Sequence, residues 1–267
     1  MKSEPIFIGG QMKSGTTMLR MLISRHSKIY SGLETHWFKN ELLNNFQRKD
    51  NKSIEKLKKY YGVADAEMNS IINHATSSKN FIDSFFTYLL KRSSKDIWLE
   101  KTPENVNYID LIEEKWFRYK FIHVIRDFRD VYASWKLSNK YNLEYFVDNI
   151  KKTYFNIDDL LGRQTDKYFE IKYENLVLNT KSSMKELFQF LHQDLEEKCT
   201  KLDNEVAKSD FEKVKKIAGK ESQTLISTQQ PINNNKIGQY NKVLNAEEIF
   251  FIEKELKDYF ILFNYNI

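Results

Sequence analysis

Near the start of the chain, Gly10-Gln11-Met12-Lys13-Ser14-Gly15-Thr16-Thr17 gathers an ammonium, three hydroxyls and two glycines between an apolar run and a helical pattern. The run Pro5-Ile6-Phe7-Ile8 ends in Gly9-Gly10 and reads as a buried strand opening into a loop. Thr16 to Arg25, with Met18, Leu19, Leu22 and Ile23 on one face, reads as a helix. A helix N-terminus offers backbone N–H groups to an anion, so this loop predicts a cradle for a phosphate or phosphosulfate. An ATP loop of the form G-x-x-x-x-G-K-[ST] has the same glycine spacing, but Thr16 stands at its lysine position and the cation is Lys13, upstream of the second glycine. An ATPase uses that lysine at the β- and γ-phosphates and the next hydroxyl for magnesium, so the departure argues against ordinary ATP chemistry. The plain alternative is a loop that only caps a helix.

Lys13-Ser14-Gly15-Thr16-Thr17 after an apolar strand resembles the 5′-phosphosulfate loop of sulfotransferases that use 3′-phosphoadenosine 5′-phosphosulfate, PAPS. The second signature of that family is a strand followed by an Arg and, eight residues later, a Ser that hold the 3′-phosphate. Here Phe121-Ile122-His123-Val124-Ile125 leads into Arg126, and Ser134 follows at that separation. Guanidinium grips a phosphate bidentately and a serine hydroxyl adds a further donor. In the same stretch Arg129, Asp127 and Asp130 are expected to form structural ion pairs. Asp127 also mimics the magnesium-binding aspartate of an ATPase at a strand end, a role that Arg126 and Arg129 beside it disfavour.

Within the family the chain resembles the tyrosylprotein branch and its bacterial relatives. In that branch a Gly-Glu-Glu-Thr segment supplies the catalytic base from its second glutamate, and this chain has Gly32-Leu33-Glu34-Thr35, with Glu34 the same 21 residues after Lys13. The resemblance therefore makes Glu34 the general base that takes the acceptor's proton, with His36 as the competing base; a positioned carboxylate contributes about 10²–10⁴-fold. Glu100-Lys101-Thr102-Pro103-Glu104-Asn105 resembles the family's lysine-bearing segment, and Lys101 lies the expected 25 residues before Arg126. The resemblance assigns Lys101 to charge on the transferring group and Lys13 to the departing phosphate oxygen. The alternative for Lys101 is a salt bridge to Glu100 or Glu104. Tyr173-Glu174-Asn175-Leu176-Val177 resembles a Tyr-Glu-Asp-Leu-Val segment in which the tyrosine contacts the nucleotide; a structural tyrosine is the other reading. Ser227, Thr228 and Lys236 fall in a stretch resembling the late loop that closes on PAPS, where Gln239 replaces the lysine that precedes the terminal aromatic. Ser227 or Thr228 would brace the transferring group and Lys236 would reach the 3′-phosphate.

These residues need a frame. Strands are expected at the first run, at Ile97 to Leu99, Phe121 to Ile125 and Tyr168 to Lys172, with helical patterns between them, which predicts an α/β fold: a P-loop-like three-layer arrangement with a central, mostly parallel sheet flanked by helices. Lys39 to Lys95 reads as a helical insertion that shapes the acceptor site, and residues 1–267 as a single domain. Further helices are expected over Leu143 to Leu161, Ser182 to Leu191 and Ala246 to about Phe260, with a polar loop over Ala218 to Lys236. The 267 residues include 41% apolar types with 19 Phe, 15 Tyr and 4 Trp, which excludes wholesale disorder. A single cysteine, Cys199, rules out a disulfide framework. The net charge, 42 − 37 = +5, suits an anionic ligand but lacks the concentrated basic face of a nucleic-acid binder. No run approaches the ~20 apolar residues of a membrane span, so a cytoplasmic protein is expected. The resemblance implies PAPS as sulfuryl donor, PAP as product, no metal, and an acceptor hydroxyl on a tyrosyl peptide, a saccharide or a small molecule. Tyr30, Trp37 and Phe38 near Glu34 either stack on that acceptor or pack the core. The rival readings are an ATP-dependent kinase and a noncatalytic nucleotide-binding module.

Overall fold

The computed structural model describes residues 4–38, 46–47, 52–138, 142–155, 166–219 and 223–267. Five parallel strands form one sheet: β1 (Ile6–Gly10), β2 (Ile29–Ser31), β3 (Ile97–Lys101), β4 (Lys120–Ile125) and β5 (Tyr168–Lys172), in the order β2-β3-β1-β4-β5. The three central strands are buried at every residue, which is why each reads as a nearly unbroken apolar run. β2 was not among the expected strands, because three residues directly after a helix carry too short a pattern to read.

Successive side chains of a strand point to opposite faces, so each central strand feeds two cores. On one face Ile6, Ile8, Leu99, Ile122 and Val124 pack with Leu19 and Leu22 of α1 (Thr16–Ser24) and with Met184, Leu187 and Phe188. On the other, Phe7, Trp98 and Phe121 pack against an aromatic layer. That layer draws on the expected insertion, which is helical where described: α2 (Lys52–Tyr61), α3 (Asp65–His74) and α4 (Ser78–Ser93). Residues 39–45 and 48–51 of it lie outside the described residues. Phe86 of α4 stacks on Trp98 with ring centroids 4.3 Å apart, and Trp37 meets Phe81, Phe85 and Phe86 edge-on. Trp37 and Phe38 are buried and Tyr30 packs against the same cluster, so the stacking role considered for these aromatics gives way to a core role.

After β3 come a short 3₁₀ turn (Pro103–Tyr108) and α5 (Ile109–Lys115); α6 (Phe128–Lys136) and α7 (Leu143–Tyr154) follow β4. The expected continuation of α7 to residue 161 falls, from 156 on, outside the described residues. α8 (Tyr173–Leu178) and α9 (Thr180–Phe190) follow β5, and α10 (Asn204–Ala218), α11 (Gln223–Ser227) and α12 (Tyr240–Val243) precede the C-terminal helices. The final helix is two, α13 (Ala246–Glu255) and α14 (Lys257–Leu262), broken at the buried Leu256.

The chain runs to one side of β1 for β2 and β3 and to the other for β4 and β5. Ile8 of β1 is level with Lys101 and Ile122, so the loops leaving β1, β3 and β4 emerge at one edge, the crevice where open α/β sheets bind ligands.

Candidate active site

At that edge a cavity of about 660 Å³ is lined by every expected site residue except Ser14, which lies buried within the loop itself. The phosphate loop is pressed tightly into place. A Cβ on Gly10 would lie 2.3 Å from the Val124 carbonyl oxygen, and one on Gly15, at φ +105°, 2.6 Å from the Tyr173 ring. No side chain caps the N-terminus of α1, leaving its first-turn N–H groups for a ligand. The hydroxyl Oγ of Ser14 is buried without a hydrogen-bond partner. Lys13, itself at φ +77°, donates from Nζ to Thr224 Oγ1 at 3.2 Å, a residue the sequence reading passed over.

One wall belongs to Arg126, at the end of β4, and Ser134 on α6. Arg126 Nη1 lies 3.4 Å from Ser134 Oγ and donates to the Lys13 carbonyl at 3.1 Å, while Nη2 donates to the Lys236 carbonyl. Its guanidinium carbon sits 4.5 Å from the centroid of the Tyr173 ring, and Nε is buried with no partner. Lys236 therefore meets Arg126 through its backbone, while its Nζ donates to Ser227 Oγ at 3.0 Å. The Thr228 hydroxyl donates to the Leu225 carbonyl at 2.9 Å. Gln239, noted only as a departure from the family pattern, places its amide nitrogen 2.6 Å from Ser134 Oγ. The expected ion pairs form in part: Arg129 pairs with Asp127 at 2.6 Å and with Glu253 at 2.6 Å, and Asp127 caps α6. Asp130 pairs not with Arg129 but with Arg126, at 3.8 Å, and also accepts from two backbone N–H groups.

At the far wall Lys101 donates to Thr17 Oγ1 at 3.0 Å and forms an ion pair with Glu34, joining the phosphate loop to the candidate base. The alternative partners are otherwise engaged. Glu100 accepts from Thr35 Oγ1 (2.7 Å), Thr102 Oγ1 (2.7 Å) and Asn105 Nδ2 (2.6 Å), and Glu104 lies 3.9 Å from His36 Nδ1. Thr102 Oγ1 in turn accepts from the His36 N–H at 3.2 Å, so buried Glu100 fixes the backbone on which Glu34 stands. His36 Nε2 is 3.5 Å from Glu34 Oε2. Burial pushes the Glu34 carboxyl upward, but the Lys101 ammonium and His36 outweigh it and hold the group below the ordinary glutamate value, as a carboxylate. Arg20 and Asp210, also unanticipated, form a buried 2.6 Å pair that ties α1 to α10. His123 is buried away from this cavity between the hydroxyls of Tyr168 and Tyr154 and is structural, as expected.

The loop after β1, the Arg126–Ser134 contact and the Lys101–Glu34 ion pair thus share one cavity at the carboxyl edge of a parallel sheet. Residues 5–197 match the model of the sulfotransferase family, and the chain belongs to that family; it is a sulfotransferase. None of the curated proteins matches it in sequence. The sulfotransferase domain of the Synechococcus PCC 7002 olefin synthase is similar in structure at 17% identity and a TM-score of 0.67, over 99% of this chain and 97% of that one. The sulfotransferase domain from the curacin biosynthetic pathway is similar at 17% identity and a TM-score of 0.65, over 96% and 98%. A mouse sulfotransferase complexed with PAP is similar at 14% identity and a TM-score of 0.54, over 97% and 85%. Among the described residues no helix is long and apolar enough to cross a membrane.

Proposed function

We infer that this sulfotransferase moves the sulfuryl group of PAPS to an acceptor hydroxyl by in-line displacement, with Glu34 as general base. The observation that carries the reading is the joining, through Lys101, of the phosphate loop to a carboxylate, on the same cavity as Arg126 and Ser134. The similar mouse enzyme complexed with PAP supports the choice of nucleotide.

The donor, when bound, supplies an activated sulfuryl group on a phosphate leaving group. The residues present fit it. Ser14 Oγ and Arg126 Nε are buried without partners, and an unmet buried donor costs about 1–3 kcal/mol unless a ligand supplies the acceptor. Lys13, Ser14, Gly15, Thr16 and Thr17 with the uncapped α1 N-terminus hold the 5′ end. Arg126, Ser134 and Lys236 hold the 3′-phosphate, Tyr173 lies against the nucleotide, and Ser227 and Thr228 close the late side. Glu34 takes the acceptor's hydroxyl proton as the new O–S bond forms, and Lys101 faces the charge on the group in transit. Lys13 receives the charge on the phosphate oxygen whose bond to sulfur breaks. In this reading the two lysines supply the positive charge that magnesium supplies to ATP-dependent transfer, and no metal takes part. The acceptor is a tyrosyl peptide, a saccharide or a small molecule. Both cores share the one sheet, which supports reading 1–267 as one domain.

The test is turnover: the protein with PAPS and a panel of tyrosyl peptides, saccharides and phenols should release PAP and sulfate at least one class. Phosphoryl transfer from ATP with magnesium, and none from PAPS, would overturn the reading.

A further inference from the structure

Residues 236–240 lie across the Arg126 wall and are held there from one face of α6. Asp130, in the first turn of that helix and 1% exposed, accepts from the backbone N–H of Gly238 at 2.8 Å and of Tyr240 at 3.0 Å. Gly238 has φ +69°, and the turn it permits aims both N–H groups at one carboxylate. The Gln239 side chain then points inward, its amide nitrogen 3.1 Å from the Asp130 carbonyl and 2.6 Å from Ser134 Oγ. Asp130 and Ser134 are four residues apart, so the face of α6 that presents Ser134 to the cavity also grips the segment.

A simpler role for Asp130 is to neutralise Arg126, whose Nη2 lies 3.8 Å from its carboxylate. A negative charge that close to an anion-binding guanidinium opposes anion binding by Coulomb's law. Asp130 is nonetheless buried there with both oxygens engaged by the segment. We propose that Asp130 is a positioning residue for donor binding: it pins 236–240 so that the Gln239 amide converges with Arg126 and Ser134 on the 3′-phosphate. This rests on the reading that Arg126 and Ser134 hold that phosphate. Position and charge make opposite forecasts. Removing the carboxylate weakens donor binding if its role is positional and strengthens it if its role is to offset Arg126.

The experiment is calorimetric titration of the full chain with PAP for the native protein, Asp130→Asn and Arg126→Ala, with steady-state kinetics in PAPS. Asp130→Asn is expected to weaken PAP binding about tenfold or more, since the hydrogen bonds lost have a charged acceptor. It should raise the KM for PAPS by a similar factor and leave kcat at saturating donor within about twofold, a split that general loss of structure does not give. Unchanged or tighter PAP binding by Asp130→Asn, with binding lost in Arg126→Ala, overturns this inference alone. Full PAP affinity in Arg126→Ala overturns the reading beneath it and this inference with it. If Asp130→Asn does not fold, hydrogen exchange on the native protein decides: the Gly238 and Tyr240 amides should be protected before PAP is added, and rapid exchange at both overturns the proposal.

Discussion

Replacing Glu34 by Gln keeps the volume of the side chain and an oxygen for Lys101 while removing the capacity to accept a proton. Oε1 is taken by Lys101, so Oε2, 3.5 Å from His36 Nε2 on the cavity wall, is the oxygen left to meet an acceptor. The Glu34 side chain is 35% exposed, so solvent screens its ion pair and the stability cost of the substitution is small, about 1 kcal/mol or less. The catalytic cost is larger. Losing a positioned base should lower kcat about 10²–10⁴-fold, about 3–5 kcal/mol of barrier. PAP affinity should stay within about threefold, because the Arg126 wall does not involve Glu34. The assay is single-turnover PAP release at saturating PAPS with an acceptor from the panel, beside calorimetry with PAP. His36→Gln serves as comparison, with an expected loss of less than about tenfold if His36 only flanks the base. Native turnover in Glu34→Gln would remove the glutamate from the mechanism, and a loss in His36→Gln equal to that in Glu34→Gln would move the base to the histidine.

Lys101→Met should lower kcat about 10²–10³-fold and shift the acid limb of the pH–rate profile upward. With the ammonium gone, burial raises the Glu34 carboxyl with less opposition, so the base protonates at higher pH; an acid limb that stays in place contradicts the pairing. Gly15→Ala puts a Cβ 2.6 Å from the Tyr173 ring at φ +105°, a strain of about 1–3 kcal/mol, so calorimetry should show PAP binding weakened about tenfold; native affinity would mean that the loop is not held as described. Burial lowers the His123 imidazole from 6.5 to about 3, so the fold binds fewer protons than the unfolded chain between those values. Stability from neutral His123 is complete above pH 6.5 and is lost toward pH 3 at up to about 1.4 kcal/mol per pH unit. Denaturant unfolding should show a shallower decline between pH 6.5 and 4 for His123→Gln than for the native chain, and parallel curves would contradict this.

Four strands were legible: β1, β3 and β4, buried on both faces, cannot avoid being apolar, and the half-buried β5 still carries Tyr168, Phe169 and Ile171 in a run of five. The loop after β1 was legible because its chemistry is local. β2 escaped because three residues make no period. Arg20 and Asp210 lie 190 residues apart, and Lys13 and Thr224 lie 211 apart, so no spacing announces either pair. Lys101 illustrates the limit from the other side: sequence neighbours offered Glu100 and Glu104, but successive positions on β3 point to opposite faces and Glu100 is held by Thr35, Thr102 and Asn105. Only the register of β3 beside β1 brings Lys101 to the phosphate loop. Gln239 carried a readable signal, a neutral amide where the family pattern has a lysine, but its contact with Ser134 depends on the turn that Asp130 holds.

The central claim is that this cavity takes a nucleotide through its 3′-phosphate. Calorimetric titration with adenosine 3′,5′-bisphosphate, beside 5′-AMP and ATP with magnesium, tests it most directly. The account predicts tight binding of the bisphosphate without added metal and at least a hundredfold weaker binding of 5′-AMP, since charge-assisted hydrogen bonds to the missing phosphate are worth about 1.5–3 kcal/mol each. Equal affinity for 5′-AMP, or a preference for ATP with magnesium, would contradict it.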